Sequence, residues 1–353
     1  MRGGQRVLGI AAVTLAVGAA IALISWLTLS DCRFRGPLPM FSEGLAAVEI
    51  RGKWGFISTD GQIVILPQYD DVGEYPYPGF SQGLASVKVG NKWGYINKEG
   101  ALVIQPRFDV ACPFAEDLAA VKAGETWGYI DRTGALVIEL PQGVVGHRFS
   151  EGRARVWRKG KHGYIDRSGS FVVEPLFYQA GEFSEGLARV ETLPGYRDGY
   201  IDRNGAIVVE PQFAMAGDFS EGLAPVCISG SKTGNWGFID TSGEFAIPPQ
   251  FDAARQFCEG LAVVMTGGRY GYIDRTGAFA ITCKYERAMG FSEGLAAVWQ
   301  DGGAGYINKR GEVVIPFQFD SGGPFRDGRA AVKLGRKKAY IDTKGDIIWG
   351  PVD

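Results

Sequence analysis

From residue 41 on, apolar positions fall in short alternating runs broken by glycine, with no apolar stripe at helical spacing. Leu45-Ala46-Ala47-Val48 reads as one short strand, Trp54-Gly55-Phe56-Ile57 as a second and Ile63-Val64-Ile65 as a third. The runs are rich in β-branched and aromatic residues, as strands on a half-buried sheet are. Between the second and third runs lies a segment such as Asp131-Arg132-Thr133-Gly134. It has the form of a type I turn closed by a left-handed glycine, and the Asx side chain at its first position bonds to the turn backbone.

The pattern then repeats. Phe41-Ser42-Glu43-Gly44-Leu45-Ala46 returns with small changes from Phe80, Phe114, Phe149, Phe183, Phe219, Phe257, Phe291 and Phe325. Each copy continues into an aromatic–Ile pair, a turn glycine and usually a Pro-x-aromatic tail, as in Pro67-Gln68-Tyr69. Proline cannot donate to a central ladder, so the tail is expected to end the third strand. The period of about 34 residues is also that of tetratricopeptide helices, but the strand pattern excludes them. One unit of that size cannot bury a core alone, so neighbours must stack.

The chain before the repeats has a different pattern. Val7 to Leu29 carries no charge and follows Arg2 and Arg6. As a helix it would reach roughly 34 Å, enough to cross a bilayer. Residues 1–30 are therefore read as a signal anchor, a single transmembrane helix, with 31–40 a short linker and 41–353 the repeat domain. That places the repeats outside the cytoplasmic membrane. The alternative is export after signal-peptide cleavage near Thr28 and Ser30.

Composition sharpens this. The 52 glycines are about twice the usual share, and many fall at the repeated turn positions. The 37 basic and 39 acidic residues balance, which argues against a nucleic-acid partner. Two histidines do not make a His-rich metal centre, and neither a metal nor a cofactor is expected. Cys112, Cys227, Cys258 and Cys283 occupy different repeat positions and are expected as free thiols.

Lys53-Trp54-Gly55-Phe56-Ile57 and Lys92-Trp93-Gly94-Tyr95-Ile96, with Trp127-Gly128 and Trp236-Gly237, resemble the WG-repeat family, also called KWG repeats. The likeness covers nearly all of residues 41–349. It implies a β-rich binding or interaction scaffold with no common catalytic activity. The Trp position departs from the pattern at His162, Asp198, Tyr270, Ala304 and Lys338, and its Gly at Ala339. The fold expected is all-β: nine repeats in an open, solenoid-like superhelix with atypical end units. A closed propeller-like ring is the alternative, and nine blades exceed the usual four to eight.

Function is carried less clearly. Gly290-Phe291-Ser292-Glu293-Gly294 matches a nucleophile elbow, but its serine belongs to the repeated motif and no histidine is near in sequence. A non-enzymatic chain is expected. The acidic residue of F-S-E-G would stack as a ladder, most simply bonded to turn amides or to the basic residue of the hairpin turn. Tyr75 and Tyr77 lie in a lengthened connection, and another lengthened loop spans 229–234. Trp157 and Trp299 follow strand valines directly and would point to the opposite face. These four aromatics are the candidate contacts for a protein or polysaccharide partner. The leading expectation is a membrane-tethered scaffold that binds a protein or envelope polymer; a purely structural spacer is the alternative, and a hydrolase a remote one.

Overall fold

The computed structural model describes residues 39–73, 79–193, 195–229 and 235–352. The apolar segment 7–29, Tyr75, Tyr77 and most of the 229–234 loop lie outside the described residues. Among those described, no helix is long and apolar enough to cross a membrane.

The expected hairpins form in every repeat. Leu45–Ile50 pairs antiparallel with Lys53–Ser58, which pairs with Ile63–Tyr69. The turn between the second and third strands is built as predicted. Asp131 Oδ1 accepts from the Thr133 amide at 2.9 Å and the Ala135 amide at 3.0 Å, and Gly134 has φ +88°.

Two details differ from expectation. A fourth strand joins each later sheet, two residues long in six of them, as Asp71–Val72 is beside Ala85–Val89, and six residues long at Val145–Ser150 and Ala253–Cys258. The chain after each Pro-x-aromatic tail therefore starts the next sheet. There are eight sheets of four strands, and one of three among the described residues. The proline, moreover, does not end the third strand. Pro67 lies inside Ile63–Tyr69, where the register with Lys53–Ser58 shifts. This is the outer edge strand, exposed at Ile63, Val64 and Leu66, where a missing donor is tolerated at a bulge. The W-G glycine makes that approach feasible. A Cβ on Gly55 would sit 2.4 Å from the Ile65 carbonyl oxygen and 2.7 Å from the Pro67 nitrogen.

The sheets pack face to face. The aromatic of each W-G-Y strand meets the F-S-E-G phenylalanine of the next sheet, ring centroids 4.8–5.0 Å apart, in eight successive pairs from Phe56–Phe80 to Tyr306–Phe325. The ninth pair is Tyr340 with Phe41, at 4.9 Å. The tyrosine hydroxyls follow suit. Tyr95 donates to the Cys112 carbonyl and Tyr129 to that of His147, both at 2.7 Å, and Tyr340 donates to that of Pro39. Repeat nine thus grips repeat one as each repeat grips its successor. The open array is thereby corrected: the described repeats form a closed, nine-bladed β-propeller. Nor is the last unit a cap. Its atypical Asp327 and Arg329 bond the Gly44 amide and the Thr59 carbonyl of the first blade. We number the blades from 1 (Leu45–Tyr69) to 9 (Ser321–Val352).

The F-S-E-G motif closes the same seams. Glu43 and Gly44 have φ of +54° and +86°, the two-residue turn that needs positive φ at both centres. The Glu43 carboxylate accepts from the Gly83 amide of blade 2 at 3.0 Å. Equivalent bonds run from blade to blade through Glu116, Glu151, Glu185, Glu221, Glu259 and Glu293. Gln82 reaches the Asp117 amide, and Asp327 completes the circle at Gly44. The acidic ladder is a ring of turn-to-amide bonds. Lys98, Arg167, Arg203 and Lys309 from the hairpin turns neutralise parts of it.

Candidate functional site

Ser292 Oγ donates to the Phe325 carbonyl at 2.7 Å, as the serines of five other repeats do at their own seams. The elbow-like motif is a structural joint. The four W-G pairs are structural too: Gly55, Gly94, Gly128 and Gly237 are buried, Trp93 is buried, and Trp54, Trp127 and Trp236 are half-buried.

Trp157 and Trp299 do not form an open aromatic face. Trp299 is 6% exposed, and its indole N–H donates to the Asp320 carbonyl at 3.2 Å. Trp157 is half-buried. The register gives the reason. Trp157 is paired with His162 and Trp299 with Ala304, two of the positions where the repeat has lost its tryptophan. In both blades the indole has moved to the cross-strand neighbour, within reach of the same seam.

The repeat is broken most heavily elsewhere. The third residue of L-A-x-V faces the next blade, and in seven blades it is Ala, Ser, Pro or Val. In blade 4 it is Arg155 and in blade 5 Arg189. The residue before the F-S-E-G phenylalanine is Met, Gly or Pro in five blades. In blades 4 to 7 it is Arg148, Glu182, Asp218 and Gln256. All six of these residues line one cavity of about 460 Å³. They lie in or beside the first strand of each sheet, which forms its inner edge, so the cavity is on the ring's inner side, over an arc of four blades.

The arc's charges are mostly tied down. Arg148 Nε donates to both oxygens of Glu182, at 2.8 and 2.7 Å. Arg189 Nη1 donates to Asp198 Oδ1 at 2.9 Å, and the Ala216 amide donates to Asp198 Oδ2 at 2.7 Å. Burial raises the Asp198 carboxyl above the usual range and Arg189 opposes it. Glu191, cross-strand from Asp198 and also buried, is raised by burial and then by Asp198 itself. Arg155 donates through Nη1 to the Ala180 carbonyl at 2.5 Å and through Nη2 to His147 Nδ1 at 3.4 Å. Its Nε is buried with no partner among the described residues, and so is His162 Nδ1. Burial first, then Arg155, lowers His147 to about 3 and His162 to about 4. Both imidazoles are neutral at ordinary pH, and His147 must carry its proton on Nε2 to accept from Arg155. Asp218 makes no hydrogen bond or ion pair among the described residues. The residue is exposed at the cavity rim, and partial desolvation raises its carboxyl, against the pull of Arg189.

A family model for the WG containing repeat matches nine stretches, at residues 39–54, 54–93, 93–127, 127–140, 163–192, 199–231, 236–270, 270–303 and 305–337. The chain belongs to the WG-repeat family. No curated protein matches it. Among solved structures, this WG-repeat chain resembles one described as the eukaryotic initiation factor, with a TM-score of 0.56, 12% identity and coverage of 79% of this chain and 86% of that one. It also resembles dihydro-heme d1 dehydrogenase NirN (TM-score 0.45, 14% identity, 85% and 84% covered) and Kluyveromyces lactis Hsv2p (0.42, 11%, 67% and 92%). At such identities the first likeness speaks to the fold alone.

The resemblance drawn from the sequence thus identifies the WG-repeat fold. The arc itself was missed. Its signal was the departure of His162 and Asp198 from the Trp position, in the same two blades where Arg155 and Arg189 replace small residues.

Proposed function

We propose that this WG-repeat propeller is a non-catalytic binding scaffold whose ligand seat is the polar arc of blades 4 to 7. One observation carries the reading: at two repeat positions, polar or charged residues replace the standard ones in adjacent blades, and they converge on one cavity. Charge held partly out of water is costly, and places where a repeat abandons its own rule against its stability are where function is expected. The commitment of Ser292 to a blade seam supports the non-catalytic part. We further propose that the segment 7–29 holds the ring at the outer side of the cytoplasmic membrane, with a protein or envelope polymer as partner.

A purely structural spacer is the second reading. It is favoured by the use of nearly every repeated motif residue in joining blades, and by the burial of Trp299. In-cell cross-linking separates the two. A photoactivatable residue replacing Gln256 in the full chain should give a defined adduct by mass spectrometry. One replacing Leu66, 72% exposed on the outer strand of blade 1, should give none. A spacer would give no adduct at either site.

A further inference from the structure

The arc holds opposite charges around one cavity, and one of them, the exposed carboxylate of Asp218, closes on no partner among the described residues. Arg148 is satisfied by Glu182, but Arg189 gives only Nη1 to a protein acceptor, Asp198, among the described residues. Asp218 has no hydrogen bond and no ion pair there, although Arg189, Arg155 and Glu182 all act on its charge. Its position depends on a missing side chain. A Cβ on Gly181 would sit 2.9 Å from Asp218 Oδ1 and 3.6 Å from the Arg189 Cβ. The glycine lets the carboxylate lie over the backbone beside the arginine stem rather than on its guanidinium. Gln256, exposed from blade 7, adds a neutral donor and acceptor to the rim.

The charge balance selects the ligand. A simple anion drawn by Arg155 and Arg189 would also meet Glu182 and Asp218. A simple cation drawn by Asp218 would meet three guanidiniums. A group bearing both charges a few atoms apart offers each wall its opposite and brings no net charge into the ring. The cavity's size is within the range of about 300–1,000 Å³ usual for small-molecule sites. Resting on the reading of the arc as a ligand seat, we propose that it recognises a small zwitterion of the amino-acid type. The carboxylate lies toward Arg155 and Arg189 and the ammonium on Asp218.

The test is calorimetric titration of the full chain with the protein amino acids and the dipeptide Ala-Ala. Propionate and ethylamine serve as the single-charge counterparts of alanine. The expected result is that at least one amino acid or the dipeptide binds, and binds at least about tenfold more tightly than its single-charge analogues. Asp218→Asn should weaken it by about tenfold or more, with an unchanged circular dichroism spectrum. Tighter binding of the dipeptide assigns the zwitterion to a peptide; tighter binding of a free amino acid assigns it to a metabolite. If a single-charge analogue binds as well as its parent, or D218N binds unchanged, the zwitterion is overturned. If nothing in the panel binds below roughly 10 mM, it is overturned as well. The seat itself is judged separately by the Gln256 adduct, which does not depend on the ligand's charge.

Discussion

The seam between blades 1 and 2 and the seam between blades 4 and 5 use the same repeat positions and fill them with opposite materials. In the first, Ala47 is fully buried and Trp54 packs against a cluster that includes Phe56, Ile65, Tyr69 and Phe80. In the second, Arg155 stands where Ala47 does and His162 where Trp54 does. Both keep the aromatic pair at the centre, at 5.0 and 4.9 Å. The repeated contacts therefore hold the ring, and the variable positions beside them are available for another use.

The largest expected effect concerns closure. Phe41→Ala and Phe114→Ala should each cost about 3–5 kcal/mol, the usual loss for a buried phenylalanine. Denaturant midpoints would check it. An array with free ends would make F41A mild and leave F114A severe, so equal losses are what a ring requires.

The second effect distinguishes the polar seam. His147 and His162 have folded-state pKa values of about 3 and about 4, below their unfolded values. A depressed pKa contributes stability that is present above the unfolded value and lost as pH falls. Between about pH 6.5 and 5 the protein should therefore lose up to ~1.4 kcal/mol per pH unit for each histidine. The raised carboxyls of Asp198, Asp218 and Glu191 act in the opposite sense as pH falls through their folded-state values, since their protonation favours the folded state. His147→Gln should flatten the slope between pH 6.5 and 5. An unchanged slope would mean that the imidazole is solvated.

A third variant turns the polar seam into an ordinary one. The triple change Arg155→Ala, Trp157→Glu and His162→Trp restores the residues that blade 1 has at these positions, Ala47, Glu49 and Trp54. Replacing buried charge with apolar packing is often neutral or stabilising by about 1–4 kcal/mol. We expect no loss of thermal stability beyond about 1 kcal/mol, together with loss of the Gln256 adduct. A large destabilisation would instead make Arg155 a structural bolt.

How much of this was legible follows from how local each signal is. The hairpins and the Asp131–Gly134 turn were readable because alternation and turn chemistry act within a few residues. Strands such as Asp71–Val72 were not, because two residues carry no alternation. Pro67 misled because its rule depends on being in a central strand, and only the tertiary position of that strand answers this. Closure has no local signature: Tyr340 and Phe41 are ordinary members of their repeats, and their contact exists only once all nine blades are in place. The arc was partly legible. His162 and Asp198 stood out, but their significance needed the register that sets Arg155 and Arg189 beside one cavity.

The smallest effect tests whether the turn-to-amide ring is as uniform as the aromatic one. Glu185 has φ +55° and its carboxylate accepts from the Gly222 amide at 2.8 Å. Asp327 has φ +51° and does the same for Gly44 at 2.8 Å across the closing seam. The left-handed conformation costs a residue with a Cβ about 1–2 kcal/mol, and the bond offsets that by about 0.5–1.5 kcal/mol. Glu185→Ala removes the bond and keeps the strain, so it should destabilise by roughly 1 kcal/mol. Glu185→Gly removes both, at an added unfolded-state entropy of about 0.4–1 kcal/mol, and should lose less. The same pair of changes at Asp327 should give the same ordering and size, measured by thermal denaturation. A larger loss at Asp327 would mark the first–last seam as the weak joint of the ring. Equal losses would make the nine seams interchangeable, and leave the polar arc of blades 4 to 7 as the place where the symmetry is broken.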